Sequence, residues 1–284
     1  MYLKLKSNGS AAPLADYLKK FEKIRKSLLL EIDPIAESFV AKIFSEDRSL
    51  VRASVLSFSD ANFEIEKHDG TTNGQRIKFA IVVNLSKLIK IIERFSSNFT
   101  LTFNYDVLNG DVVDYVCQNV VFQSSVLKMK MDGSRTSEFQ YLSDDLFNNK
   151  IFKVTDSLSV PLTADCLQSI TKISEIASID PKKDILIFYV NDNQELYVKD
   201  STGYNDDGTD KPSNFEFKIA DMPDAFGYPV RLPISREKFV QVVSGTDEDF
   251  DFIIGKDVQG NLTRILFNSL NTNSKIVIST INEN

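Results

Sequence analysis

The chain is poor in the residues that build catalytic and metal centres. It contains one histidine and two cysteines in 284 residues. A catalytic triad or a histidine-rich zinc site is therefore not expected. Cys117 and Cys166 lie far apart and form no paired motif, so we expect both to be packed thiols. The single histidine, His68, falls in a polar turn before Gly70.

Other absences narrow the function further. No apolar run approaches the roughly 20 residues that span a bilayer, and the alternating start of the chain lacks a signal-peptide core, so we expect a cytoplasmic protein.

There is neither a Walker-type nor a Rossmann glycine loop. Residues 203–208 resemble a calcium loop, but Gly203 and Asn214 occupy positions where acids are required. The paired acids at 144–145 and 247–249 are expected to be solvated. The sequence thus predicts no enzyme, no cofactor and no metal site.

What is present is an order of segments that occurs twice. Each half reads as a helix, alternating strands, a second helix and closing strands, over residues 14–131 and 160–281. The match is clearest where the extended segment 79–85 precedes a helix at 86–95, and 229–234 precedes one at 235–243. In both places a serine is positioned to cap the helix. Repeats of this length indicate two globular domains related by pseudo-symmetry.

The pattern predicts an α+β fold. We expect two pseudo-repeated domains with mainly antiparallel sheets, each with two helices on one face. The predicted boundaries are 1–135 for the first domain, 136–157 for a crossover and 158–284 for the second domain. The first helix of each domain is predicted at 14–30 and at 161–178 from its apolar spacing.

Charge is distributed unevenly in this acidic chain. A net charge of −7 argues against a protein that envelops nucleic acid tightly, but acid is concentrated in loops and base on the predicted helices. Lysines on one amphipathic helix need only solvate it, whereas four helices on one sheet face would form a basic surface that attracts phosphates without reading bases. Few aromatic residues lie on these faces, so base stacking is not indicated. The predicted outward bases are Lys19, Lys20, Lys23, Lys26, Lys87, Lys90 and Arg94 in the first half and Lys172, Arg236 and Lys238 in the second.

This arrangement resembles the sliding clamps, the ring-shaped processivity factors of DNA polymerases, and in style the two-domain clamps of tailed bacteriophages. The segments that carry the resemblance are 15–30, 79–95, 229–243, 247–252, 264–269 and 275–279. It implies a head-to-tail homotrimeric ring whose helices face duplex DNA in a sequence-independent way, placed on DNA by a clamp-loader ATPase and bound to a DNA polymerase. It also implies an apolar outer pocket for polymerase tails, for which 222–233 and 139–152 are candidates. The loop 201–214 and the few lysines on the second pair of helices depart from the pattern.

Two other functions fit parts of the sequence. A phage tail or baseplate protein would also be duplicated, rich in strands and acidic, but it would not need basic residues on equivalent helix faces. An enzyme with an unrecognised carboxylate site is the other alternative, and the shortage of histidine, paired cysteine and phosphate loops disfavours it.

Overall fold

The chain divides into two compact units. The structure, a computed structural model, describes residues 1–82, 84–95, 98–109, 113–139, 141–178, 184–201, 213–222, 229–243, 246–257 and 259–281. Unit 1 comprises Met1–Phe44 and Arg52–Leu142, and unit 2 comprises Ser45–Val51 and Ser143–Asn284. The division after Leu142 falls within the predicted crossover, 136–157.

Among its described residues, unit 1 contains nine strands, two α-helices and a short 3₁₀ turn at Thr136–Glu138. In chain order the strands and α-helices are β1 (Tyr2–Ser7), α1 (Ala12–Glu22), β2 (Leu28–Asp33), β3 (Ser38–Phe44), β4 (Leu50–Ser57), β5 (Phe63–Asp69), β6 (Ile77–Ile81), α2 (Leu85–Glu93), β7 (Thr100–Asn109), β8 (Val113–Gln123) and β9 (Lys128–Asp132). The strands follow the spatial orders β4-β3-β2-β6 and β5-β1-β7-β8-β9. A short parallel pairing of β6 with β8 joins these two runs. The pairs β1–β5, β1–β7, β2–β3, β2–β6, β7–β8 and β8–β9 are antiparallel.

Unit 2 begins with short helical turns and repeats the same plan. Its elements are α3 (Asp144–Leu146), a π-helical turn (Phe147–Ile151), β10 (Thr155–Leu162), α4 (Ala164–Ala177), β11 (Ile185–Val190), β12 (Glu195–Ser201), β13 (Glu216–Asp221), β14 (Arg231–Ser235), α5 (Arg236–Val243), β15 (Phe250–Lys256), β16 (Arg264–Ser269) and β17 (Asn273–Ser279). The strand orders are β13-β12-β11-β14 and β10-β15-β16-β17.

The two units share one topology. The run β4-β3-β2-β6 corresponds to β13-β12-β11-β14, and β1-β7-β8-β9 corresponds to β10-β15-β16-β17. Each first helix follows the first strand of its unit, and each second helix precedes the last three strands. Within the described residues, β5 is the one strand of unit 1 without a counterpart in unit 2. The predicted α+β fold with repeated antiparallel domains is confirmed.

Both helices of each unit bury their apolar sides against the sheet. In unit 1, Leu14 and Leu18 of α1 and Leu88 and Ile92 of α2 line a common apolar gap with Phe79 and other strand residues. In unit 2, Phe239 of α5 packs against two strand phenylalanines. Its ring centroid lies 5.8 Å from that of Phe188 and 6.3 Å from that of Phe267. These contacts fix which side of every helix faces away from the sheet.

Several predicted element boundaries are wrong. The first helix ends at Glu22, and Leu28–Asp33 is a strand, because an apolar run of that length fits a buried strand as well as a helix end. The third predicted helix begins at Ala164 rather than at 161, since Pro161 lies in β10. His68 belongs to β5 and not to a turn, and its Nε2 lies 2.7 Å from the hydroxyl of Tyr105. Burial lowers the pKa of His68.

A buried ion-pair cluster lies on the sheet face of unit 1 that is opposite the helices. Glu31 alternates with the core residues Leu30 and Ile32 and is only 2% exposed. Its carboxylate lies 3.2 Å from Lys42 Nζ and accepts a hydrogen bond of 3.2 Å from the hydroxyl of Tyr141. Tyr141 belongs to the segment after β9, so this cluster attaches that segment to the sheet.

We expect Glu31→Ala to destabilise unit 1 by about 3–5 kcal/mol, because it removes one partner of a buried pair and leaves the Lys42 charge in place. Glu64→Ala is the matched control. Glu64 also lies on a strand, but its pair with Lys6 is long, at 3.7 Å, and both side chains are more than half exposed, so its loss costs at most about 1 kcal/mol. Calorimetric unfolding of both variants measures the difference, and equal costs would contradict the assignment.

Candidate nucleic-acid interface

The bases predicted on the first helix lie in and just after α1. Lys19 and Lys20 occupy its last turn, Lys23 is the residue that caps its C-terminus, and Lys26 lies in the connection to β2. Cations at this end are favoured by the helix dipole. The carbonyl of Lys26 accepts a hydrogen bond of 3.3 Å from the amide of Leu85. This bond brings the connection next to the start of α2.

The second helix presents three bases on its outer side. Lys87 and Lys90 are exposed on α2, and Arg94 is exposed at its C-terminus. Their spacing of three and four residues places them along one stripe. None of the three forms an ion pair with any residue that the structure describes. Ser86, predicted as a cap, lies inside α2 and donates its hydroxyl hydrogen to Glu22; Asn84 is at the N-cap position.

Contacts between α1 and α2 bring both sets of bases onto one surface. Lys19 Nζ lies 2.9 Å from Asp16 Oδ1 and 3.0 Å from Glu93 Oε1. Glu93, at the end of α2, pairs with Lys19, about one turn before the end of α1. Ser86, at the start of α2, reaches Glu22, the last residue of α1. The helices therefore run antiparallel with their outward sides adjacent.

The pKa values of Lys19 and Lys23 shift in opposite directions because their surroundings differ. Hydrogen bonds to Asp16 and then Glu93 raise the pKa of Lys19. Desolvation of the ammonium group lowers the pKa of Lys23, and the positive charges of Arg52 and Lys20 lower it further. An anion placed beside Lys23 would relieve this repulsion.

The second unit differs in charge. Lys172 is exposed on α4, but Asp165 and Glu175 are also exposed on that helix. On α5, Glu237 is exposed, and Lys238 Nζ lies 3.4 Å from Asp47 Oδ2 with only 15% of the lysine side chain exposed.

The surroundings of Asp47 keep its carboxyl group ionised. Burial acts to raise its pKa, but hydrogen bonds from Ser45 and Ser49 and the charge of Lys238 outweigh this and hold the pKa at about 2. Lys238 therefore faces a permanent carboxylate within its own unit.

The predicted outward orientation of Arg236 is wrong. Arg236 is 5% exposed, and its Nε donates to the carbonyl oxygen and the hydroxyl of Ser174 at 3.1 and 3.3 Å. The bond joins α5 to α4. The guanidinium satisfies polar atoms of α4, and helical periodicity alone does not distinguish this role from a solvated base. Ser235 does cap α5 as predicted, accepting a 3.4 Å bond from the amide of Lys238.

Sequence reasoning missed two further bases near the first helix pair. Arg25 is exposed between Lys23 and Lys26, and its place among lysines was a usable signal. Arg52 lies on β4, where its guanidinium carbon is 5.9 Å from the centroid of the Phe21 ring. No local pattern connects a strand arginine with the end of α1.

The remaining predicted features lie partly within and partly outside the described residues. Among the described residues, no group of three or more histidine, cysteine or acidic side chains is arranged to hold a metal ion, and no described helix has the length and apolar character to cross a membrane. Glu248 is 3% exposed and accepts a bond from Thr272, so it is a packed residue rather than a solvated one. Residues 202–212, which include the calcium-like loop, and residues 223–228 of a candidate pocket lie outside the described residues.

Comparison with known proteins identifies the fold. No protein-family sequence model matches the chain, and no curated protein matches it. Among solved structures, PCNA of A. fulgidus, bound to the C-terminal region of FEN-1, superposes with a TM-score of 0.61 at 10% identity, over 99% of this chain and 100% of that one. PCNA from Thermococcus kodakaraensis gives 0.60 at 11% identity, over 99% of both chains.

The bacterial clamps match as well. The DNA polymerase III subunit beta from Pseudomonas aeruginosa gives a TM-score of 0.59 at 9% identity, over 100% of this chain but 65% of the longer protein. Sequence identities this low show a shared fold and nothing more. The chain therefore has the sliding-clamp fold shared by PCNA and the beta subunits of DNA polymerase III.

Proposed function

We propose that this chain is a sliding clamp, which encircles duplex DNA as a homo-oligomeric ring and tethers a replicative DNA polymerase to its template. The observation that carries the proposal is the exposed basic stripe of Lys87, Lys90 and Arg94 beside the basic end of α1, on a fold shared with known clamps. The function requires no bond to be made or broken, consistent with the shortage of catalytic residues. We further propose that it acts in the cytoplasm, a host cytoplasm if the chain is viral.

Contact with DNA is proposed to be electrostatic and concentrated on unit 1. The outer side of its helix pair is rich in lysine and without bulky aromatic groups, which suits phosphates and gives no means of reading bases. Unit 2 contributes less, because the charge of Lys172 is balanced by Asp165 and Glu175, and Lys238 is held by Asp47. Weak contacts are sufficient, since a closed ring is retained by topology rather than by affinity.

Ring closure is proposed to use the edge strands β9 and β13. Within the described residues, β9 pairs only with β8 and β13 only with β12. The other edges are guarded: Pro161 lies in β10, Ile281 donates to Pro233 of β14, and β5 carries three acids. β9 bears Lys128, Lys130 and Asp132, and β13 bears Glu216, Lys218 and Asp221. Their net charges are opposite, which favours a head-to-tail contact between the two strands, and such a contact forms a ring if the rotation between subunits closes.

The partners are proposals too. The solved complex of A. fulgidus PCNA with the C-terminal region of FEN-1 supports docking of a partner's C-terminal segment on this chain, and we propose a polymerase tail as that segment. The PCNA2–PCNA3 complex of Sulfolobus tokodaii supports association between clamp subunits. A clamp-loader ATPase is expected to place the ring on DNA, and a homotrimer is the expected assembly.

The first test is assembly and topology. Light scattering across a dilution series is expected to show a trimer that dissociates at low concentration. Subunits mixed with nicked circular DNA while dilute, and then concentrated, should be retained on the circle and released when it is linearised. A chain that stays monomeric at high concentration, or that remains bound after linearisation of the DNA, would contradict a sliding ring; association with virions instead would favour the structural alternative.

The second test concerns the basic stripe. Lys87→Gln/Lys90→Gln is expected to weaken binding to a short duplex. The slope of the logarithm of the binding constant against the logarithm of salt concentration should become shallower by up to about 0.9 for each phosphate that the variant no longer neutralises. The matched control, Lys4→Gln/Lys6→Gln, removes the same charge from the opposite sheet face, where both lysines already pair with acids. Fluorescence anisotropy between low and moderate salt measures both. Equal effects of the two variants would show that α2 does not contact DNA.

The third test is a charge swap between edge strands. Lys128→Glu/Lys130→Glu alone, or Glu216→Lys/Asp221→Lys alone, should raise the dissociation constant of the ring several-fold, because each rim charge pair contributes up to about 1 kcal/mol. The combined variant should recover assembly. Analytical ultracentrifugation provides the measurement, and failure of the combination to recover would argue against pairing of β9 with β13.

A further inference from the structure

Lys19, one of the bases predicted to face DNA on α1, is held by two carboxylates. Its ammonium group bridges Asp16 of its own helix and Glu93 of α2, at 2.9 and 3.0 Å. All three side chains are substantially exposed, at 45%, 65% and 43% for Lys19, Asp16 and Glu93. The bridge therefore lies on the proposed DNA surface and is open to any phosphate that approaches it.

Helix stability does not explain the two acids. Glu93 is in the last turn of α2, where the helix dipole disfavours a carboxylate. Asp16 is in the interior of α1, where aspartate is a poor helix former. Exposed ion pairs return little stability, typically below about 1 kcal/mol each. What the two acids change most is the charge that Lys19 offers to an anion.

We propose that Asp16 and Glu93 compete with DNA phosphates for Lys19, so that the inner surface of unit 1 is held below its full positive charge. This inference rests on the proposed clamp function and deepens it. Lys87, Lys90 and Arg94 make no ion pair with described residues and attract DNA phosphates at all times. Lys19 instead exchanges between its own two carboxylates and the phosphates that pass it. Because each exposed pair is weak, the exchange costs little at any position along the duplex. The acids thereby limit how strongly the ring adheres to one place.

The test is a charge-release variant measured in the same duplex-binding assay. Asp16→Asn/Glu93→Gln is expected to bind duplex DNA more tightly, with a salt dependence steeper by about 0.9 for each Lys19 that is freed to neutralise a phosphate. Adding Lys19→Gln should cancel that gain. The control Glu64→Gln/Glu66→Gln makes the same change in net charge on the opposite sheet face, where these acids pair with Lys6 and Lys4, and should leave the affinity nearly unchanged. Melting temperatures verify that all variants fold.

Each outcome has one meaning. A gain in affinity that disappears with Lys19→Gln supports competition. A gain that persists without Lys19, or that the control reproduces, shows simple charge repulsion and overturns the inference. No gain in the release variant, while Lys87→Gln/Lys90→Gln weakens binding, also overturns it but leaves the clamp function standing. No effect of either variant overturns the inference and the assignment of α2 to the DNA surface, whereas the clamp function is decided separately by retention on circular DNA.

Discussion

Burial of one side of each helix against the sheet is the constraint on which the rest of the molecule depends. Leu85, Leu88 and Ile92 of α2 are at most 3% exposed, and burying such side chains contributes about 1.5–3 kcal/mol each. With that face fixed, Lys87 and Lys90 have only one direction in which to point. Both units obey the same constraint, but different side chains fill the outward positions. The fold therefore decides which helix sides face outward, and the residues on those sides decide whether the proposed DNA surface is basic.

The repeat and the helix faces could be predicted from the sequence because both depend on the local spacing of apolar residues. The helices predicted at 86–95 and 235–243 are observed as Leu85–Glu93 and Arg236–Val243. Leu28–Asp33 reads as a helix end because three consecutive leucines fit either structure, and pairing with β6, distant in sequence, decides for a strand. Strand β10 was not predicted at Pro161 because proline is rare inside strands. It is tolerated in β10 because that strand lies at the edge of the sheet.

The charge asymmetry between the units was only partly readable. The small number of lysines on α4 and α5 is visible in the sequence, but the partners of those that remain are not. Arg236 is buried by a contact with Ser174, 62 residues away, and Lys238 is held by Asp47, which lies near the other end of the chain. Long-range ion pairs of this kind have no local signature. They also explain why counting bases on helices overestimated the contribution of the second unit.

The proposed binding of DNA is compatible with an acidic chain once binding affinity is distinguished from retention by a ring. A protein held only by its contacts must bear enough positive charge to survive physiological salt, where removing a single phosphate contact lowers affinity several-fold. A closed ring stays on DNA because it encircles the duplex. In the proposed ring, the strength of the contacts therefore determines how easily it slides and not whether it stays bound. Strong contacts would then be a disadvantage, because every step along the duplex would have to break them. A net charge of −7, exposed bases concentrated on unit 1 and two carboxylates paired with Lys19 are what such weak contacts would favour in the proposed ring.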